Sequence, residues 1–413
     1  MTAVASSGMF ARGVTGTVVT GMSLASRVLA LLLLVPAARL LSTSDFGVFS
    51  LALGLAIAVA NVVGGAPADL TATAASSAPA RTWRLVTRVV ATLTLVEAAL
   101  VAVVLVAPVP APLVVLSAVV CLSAIGPVLA MNLLRGLDRP VLGAALPYAV
   151  LPVGRAVVAV AALHVGTDLT GLMTALAAVG TVVGLLTLTA LVLTRPAATA
   201  APAVLATGGR TRRPLLAVIA GATVSVVWLT IGQSGAIALS AAAGPAVLAA
   251  FVPTARLCDA LTAIGIGYKA AANRALQQTP DGALPPRAVL GVLGSFAVAA
   301  VAMCCVAPVA VPAVFGPELR FLPGPAAALI GAAALSSLVA VKIQLLFAAR
   351  RYRRIVVSSA VACVVAVGGI GACAAVWHTE GVAAATLATT AAWLSALTVP
   401  ATALRTRSAG TPC

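Results

Sequence analysis

The chain has 413 residues, of which 62% are hydrophobic and 8% charged, against roughly 45–50% and about 25% in a soluble domain; this excludes a soluble fold and indicates an integral membrane protein. Its net charge of +16 does not point to nucleic acid, because no Lys/Arg tract is interleaved with aromatics and the cations stand between apolar runs. Six of the seven cysteines (Cys121, Cys258, Cys304, Cys305, Cys363 and Cys373) lie inside hydrophobic runs, which suggests neither a disulfide framework nor a zinc site.

A bilayer core about 30 Å thick requires about 20 apolar residues per crossing helix. Twelve segments meet this, at approximately 14–38, 46–64, 85–107, 112–134, 141–163, 169–194, 215–242, 245–268, 288–312, 323–348, 355–376 and 381–404. The first, with Leu29 to Val35 ahead of Pro36-Ala37-Ala38, is too long and too polar-flanked for a cleaved signal peptide and is expected to be retained. Pro36, Pro127, Pro147, Pro152, Pro253 and Pro308 are candidate kinks, which membrane helices tolerate where neighbours satisfy the freed backbone groups. Gly180 and Gly184 form a Gly-x-x-x-Gly in span six, read as packing within the bundle.

The loops set the orientation. With a cytoplasmic N-terminus, Arg12, Arg81, Arg84, Arg88, Arg135, Arg139, Arg195, Arg210, Arg212, Arg213, Lys269, Arg274, Arg287, Arg350, Arg351, Arg353, Arg354, Arg405 and Arg407 fall on the cytoplasmic side, and only Arg39 and Arg320 opposite. That is a positive-inside pattern, and it supports an even number of spans with both termini cytoplasmic. Asp45, Asp168, Glu318 and Glu380 then read as outer loop charges. Trp83 and Trp377 fit interfacial anchors, and Arg350, Arg351, Arg353 and Arg354 suit insertion topology or anionic headgroups.

The longest polar break, 195–214, reads as a cytoplasmic linker between a six-helix bundle at 1–194 and another at 215–413. Span four ends in Asn132-Leu133-Leu134-Arg135 and span ten in Gln344-Leu345-Leu346-Phe347 before Arg350-Arg351, a short correspondence between the halves. Halves with an even number of spans enter from the same side, as in a parallel repeat, with the substrate pathway between them. The expected fold class is an all-α polytopic membrane protein of about twelve transmembrane helices in two six-helix halves around a central cavity.

Six ionisable side chains fall inside spans: Arg27, Glu97, Arg155, Arg256, Asp259 and Lys342. At mid-helix each costs roughly 2.5–3.5 kcal/mol to insert, so they are expected to face the bundle interior or a hydrated cavity. Arg256 and Asp259 are three apart on one helix face and can neutralise each other. Glu97 can pair with Arg27 or Arg155. Even with both acids paired, four cations against two acids leave two positive charges, which need an anionic partner or deep hydration.

Arg27, then Ala38-Arg39-Leu40-Leu41 and Ser44-Asp45-Phe46-Gly47-Val48-Phe49-Ser50-Leu51-Ala52, resemble the opening of bacterial polysaccharide-biosynthesis membrane proteins. These are the O-antigen type lipid-linked oligosaccharide flippases of the multidrug/oligosaccharidyl-lipid/polysaccharide exporter superfamily. Val314-Phe315-Gly316-Pro317-Glu318 is similar to a Phe-Gly turn these proteins often carry. The Gly-x-Tyr-x-x-Ala pattern usual at span eight is matched only loosely by Gly244 to Phe251, which lacks the tyrosine. The resemblance implies a non-enzymatic carrier of undecaprenyl-pyrophosphate-linked sugars, moving them from the inner to the outer leaflet of the bacterial plasma membrane by alternating access. Arg27, Arg155, Arg256 and Lys342 are the expected substrate-binding cations, arginine offering a planar fork for phosphate and lysine a compact charge. Glu97 and Asp259 are expected to serve in coupling or structural pairing.

No cofactor or metal is expected, nor nucleic acid. Partners are expected to be the lipid-linked glycan, membrane lipids and a glycan polymerase or glycosyltransferases, with the chain itself a monomer. The alternative is an ion-coupled drug or small-solute exporter of the related multidrug and toxin extrusion type, disfavoured by few free carboxylates and an excess of cations. A glycan polymerase or ligase needs a sizeable outer loop; here the outer loops have about ten residues or fewer, and His164 and His378 stand alone near span ends. A lipid II flippase of the same superfamily typically has two more spans. No Walker loop is present to use ATP.

Overall fold

The computed structural model describes residues 33–65, 79–106, 112–137, 139–195, 212–262, 286–349 and 351–398, together with positions 18, 21, 22, 25–27, 29–31 and 71. Most of the expected linker and several of the loop cations (Arg12, Arg210, Lys269, Arg274, Arg350, Arg405 and Arg407) lie outside these residues.

The described residues form helices and turns. In chain order they are α1 (helical at 33–40), α2 (Thr43–Gly65), α3 (Pro79–Val106) and α4 (Pro112–Gly136). α5 is built of three consecutive pieces, Pro140–Ala145, Leu146–Val150 and Leu151–His164, and is followed by α6 (Leu169–Leu193). The second half comprises α7 (Arg212–Ala243), α8 (Pro245–Ala260), α9 (Pro286–Phe315) and α10 (Pro323–Ala348). One further run of helical residues, Tyr352–Thr398, is broken by non-helical backbone at His378, where φ is 47°. It is two spans, α11 (352–377) and α12 (379–398). A Cβ on Gly381 would strike the main-chain oxygen of Cys373, a contact between residues eight apart that only a reversal of direction allows.

Among the described residues nine helices are long and apolar enough to cross a membrane. The run divided at His378 supplies one more crossing. α1, described as helical at 33–40, and α8, with 16 described residues, are shorter than a full crossing among the described residues. With these two included, the architecture is about twelve membrane-crossing helices in two halves, α1–α6 and α7–α12.

Local chemistry explains the boundaries that matter for function. Ser42 caps α2: its Oγ accepts from the Asp45 N–H at 3.1 Å and donates to Asp45 Oδ2 at 2.8 Å, a variant of the capping box with an aspartate at the third position. Asp168 caps α6 by accepting from the Gly171 N–H at 2.8 Å. Of two acids expected as plain loop charges, Asp168 therefore satisfies an orphan amide at a helix start, while Asp45 accepts from the Ser42 hydroxyl that does so for α2. Within α5, Leu146–Val150 is a π turn with Pro147 in it; widening the turn accommodates a residue that has no N–H to donate. Pro127, Pro253 and Pro308 lie inside continuous helices.

Within the first half, α3, α4 and α6 pack together and α2 lies on α4. A Cβ on Gly180 would collide with Ser123 of α4, and one on Gly184 would stand 2.6 Å from Thr94 Oγ1 of α3, so the Gly-x-x-x-Gly of α6 is spent on packing inside this half. In the second half α7 packs along α11 and α12, where Trp228 meets the fully buried Trp393 edge-on at 5.0 Å between centroids. The halves join chiefly through α2, which lies against α7 and α8. Phe46 and Phe49 of α2 are buried. At Gly47 the α2 backbone comes so close to α8 that a Cβ would overlap the Pro245 carbonyl; glycine alone permits that approach.

Candidate functional site

The intramembrane charges do not form one group. They occupy three places, and the contacts that define each are different.

The first place is the seam between the halves. Arg256 and Asp259 face each other one turn apart on α8, with Nη1 and Oδ2 separated by 3.7 Å. Arg27, from the first segment, donates from Nη1 to the main-chain oxygen of Asp259 at 2.7 Å, and the Thr262 hydroxyl donates to the same oxygen at 2.7 Å. Opposite them, Gly54 of α2 leaves a notch: a Cβ there would stand 2.9 Å from Arg256 Nη2 and 3.0 Å from Gln233 Oε1 of α7. The Arg256 and Asp259 side chains keep 30% and 61% of their surface uncovered by protein. Two guanidinium groups, one from each half, thus converge on a single aspartate. The group carries one excess positive charge.

The second place lies inside the first half. Arg155 of α5 is 5% exposed and Glu97 of α3 is 2% exposed. Arg155 Nη2 donates to the Val120 carbonyl at 3.0 Å and to Ser123 Oγ at 2.7 Å, both on α4. Arg155 and Glu97 interact electrostatically, yet Arg155 Nε and Glu97 Oε2 have no hydrogen-bond partner. Of the two pairings open to Glu97, the structure therefore brings it to Arg155; Arg27 goes to Asp259 instead.

The third place is near the end of α10 in the second half. Lys342 is 6% exposed, and its charge is felt by Arg351 and Arg354 at the start of α11. Arg155 is thus bonded to α4 within the first half, and Lys342 lies within electrostatic reach of Arg351 and Arg354 in the second.

Two residues of the seam escaped the sequence reading, Gln233 and Gly54. Gln233 is uncharged and stands in a long apolar run, and a lone glycine in a glycine-rich chain carries no signal until the facing side chains are known. Arg39, already set apart from the buried cations by its expected interfacial position, lies at the end of α1, where it bonds main-chain oxygens of α9.

No family model matches the sequence, and no curated protein matches it. Solved structures do match over nearly its whole length. A multidrug resistance MATE family transporter of the MOP superfamily, in an outward-facing conformation, is 14% identical, covers 96% of this chain and 97% of its own, and aligns with a TM-score of 0.57. The inward-facing conformation of such a transporter gives 13% identity, 96% of each chain and a TM-score of 0.50. A MATE protein with one proline-to-alanine substitution gives 16%, 95% of each chain and 0.51. The chain shares the overall fold of these multi-pass membrane transporters. Identity this low establishes the fold alone.

Proposed function

We propose that this chain is an alternating-access transporter of an anionic lipid-linked glycan precursor, a polyprenyl-pyrophosphate-linked oligosaccharide, moved from the inner to the outer leaflet of the bacterial plasma membrane. The observation that carries this reading is the convergence of Arg27 and Arg256, from opposite halves, on one carboxylate. A pyrophosphate entering the seam exchanges the weak attraction of a partly exposed ion pair for charge-assisted hydrogen bonds to two guanidinium forks. Because the two forks belong to different halves, the ligand also gains from whichever relative position of the halves satisfies both, the differential affinity that a conformational cycle requires. Gln233, at the same notch, supplies an uncharged donor and acceptor for sugar or phosphate oxygens.

In this reading the arginine-rich loops and both termini lie in the cytoplasm, as the positive-inside pattern favours, and the Arg39 end faces outward. An inside-negative potential then assists outward movement of net negative charge by roughly 2.3 kcal/mol per charge per 100 mV. Arg155 and Lys342 serve less directly in this reading, Arg155 through its links to α4 and Lys342 near the cytoplasmic end of the second half.

A second reading is an ion-coupled exporter of drugs or small solutes. It is favoured by the fold shared with multidrug MATE transporters and by Glu97, a buried carboxylate with an unpartnered oxygen, which suits a coupling proton or cation. The test is to replace Arg27, Arg155, Arg256 and Lys342 singly with alanine and follow glycan export, in parallel with drug susceptibility before and after collapse of the proton gradient. Loss of export at Arg27→Ala and Arg256→Ala with unchanged drug profiles is expected. Unchanged export in all four variants together with altered drug resistance would turn the assignment to the second reading.

A further inference from the structure

The α1–α2 junction and the α9–α10 junction, from opposite halves, are tied together at the Arg39 end. Arg39 donates from Nε to the Val314 carbonyl at 2.8 Å and from Nη2 to the Ala313 carbonyl. These are among the last carbonyls of α9, which have no partner inside the helix and stand at the negative end of its dipole, where a guanidinium is favoured. The chain then turns at Gly316, whose φ of 117° suits glycine, and brings Glu318 back so that its Oε2 accepts from Thr43 Oγ1 at 3.2 Å. Beside these bonds lies a cavity of about 800 Å³ lined by Arg39, Ser42 and Thr43 from one half and Pro312, Gly316 and Glu318 from the other.

We propose that Arg39 and Glu318 form a latch that holds the Arg39 end of the two halves shut, and that it opens when cargo leaves. The opening step rests on the alternating-access reading above. The bonds are solvent-exposed, so each is readily exchanged for water, as a contact that must break in every cycle should be. Their partners are main-chain oxygens and a carboxylate across a sequence separation of 274–275 residues, so the latch reports only on how the two halves sit relative to each other. It also gives the motif residues at this end a shared purpose. Ser42 and Asp45 fix the start of α2 and hence Thr43, while Gly316 sets the turn that aims Glu318.

The experiment is disulfide trapping in native membranes. Thr43→Cys and Glu318→Cys are combined, so that the disulfide takes the place of the Thr43–Glu318 bond and the Arg39 bonds to α9 alone hold the two junctions together before oxidation; a protease site in the 195–214 linker lets the cleaved halves migrate together on a gel only when bridged. Each single cysteine variant serves as the control for pairing with native cysteines. Rapid bridging under a mild oxidant is expected with Arg39 present. Arg39→Gln is expected to slow it by about tenfold, the weight of a charge-assisted bond of roughly 1.4 kcal/mol. Arg39→Lys, which keeps the charge but not the two-pronged reach, is expected to fall between. No bridging with Arg39 present, or a rate indifferent to both Arg39 variants, would overturn the latch. Trapping needs no substrate, so it stands apart from the assignment of cargo. Oxidised protein that exports as fast as reduced protein would overturn the opening step, whereas a wild-type chain that exports no glycan would count only against the proposed cargo.

Discussion

Arg256 and Asp259 of α8 form an ion pair at 3.7 Å, and the main-chain oxygen of that same aspartate is held by Arg27 from the other half at 2.7 Å. One residue therefore restrains both cations of the seam. An anionic ligand has to compete with the Asp259 carboxylate for Arg256, so removing the carboxylate frees a guanidinium. Asp259→Asn is expected to tighten binding of a polyprenyl pyrophosphate by severalfold. Arg256→Ala is expected to weaken it by roughly tenfold or more, as charge-assisted hydrogen bonds contribute about 1.5–3 kcal/mol. Titration of the detergent-purified chain with the lipid pyrophosphate checks both, and a cationic drug as ligand should show the opposite order.

Gly54→Ala tests the notch. The new methyl would stand within 3.0 Å of both Arg256 Nη2 and Gln233 Oε1, which are ends of flexible side chains and can give way. The expected result is a chain that folds with near wild-type stability and has reduced ligand affinity. Gly47→Ala is the contrast, since its methyl meets the Pro245 backbone and has nowhere to go. Overpacking of this kind costs typically about 1–3 kcal/mol, so Gly47→Ala should lower the unfolding temperature in detergent and loosen α2 from α8.

Much of this was legible from residue order. The twelve crossings follow from hydrophobic length, and the Asp-Phe-Gly-Val-Phe stretch announced that α2 was special. Structure supplied the reasons: Phe46 and Phe49 enter the core, while Gly47 admits the α8 backbone. What order alone did not convey is which buried charges meet. Six ionisable residues on separate spans can be paired in several ways at similar cost, and helix rotation, set by side-chain packing, decides among them. Thus Glu97 faces Arg155, and Arg27 reaches a main-chain oxygen that no pattern of charges predicts. Lys342 sits near Arg351 and Arg354 for the same reason, as the α10–α11 turn folds them together.

Gly180→Ala tests the interior of the first half. A methyl here would overlap Ser123, the residue that receives Arg155 Nη2 at 2.7 Å. The substitution should therefore both separate α6 from α4 and disturb the arginine. A loss of about 1–3 kcal/mol is expected from overpacking. Pairing it with Ser123→Gly, which removes the clashing side chain, should recover most of the packing but not the hydrogen bond. Thermal unfolding of the two single variants and the double variant measures the coupling directly.

Arg155 and Glu97 give the largest expected stability effects. Each is nearly fully buried, and each keeps one polar atom without a partner; their mutual attraction and the two bonds from Arg155 to α4 offset part of the desolvation. Arg155→Met leaves Glu97 as a buried carboxylate without its cation and takes the bonds from Val120 and Ser123; breaking such a pair costs roughly 3–5 kcal/mol. Glu97→Gln keeps the volume and leaves Arg155 its two bonds to α4, so it should cost less. Changing both residues together should be milder than Arg155→Met alone, because no isolated charge remains. Unfolding temperatures in detergent at neutral pH rank the three variants. An Arg155→Met chain as stable as wild type would show that solvent reaches Glu97 and that its burial carries no charge penalty.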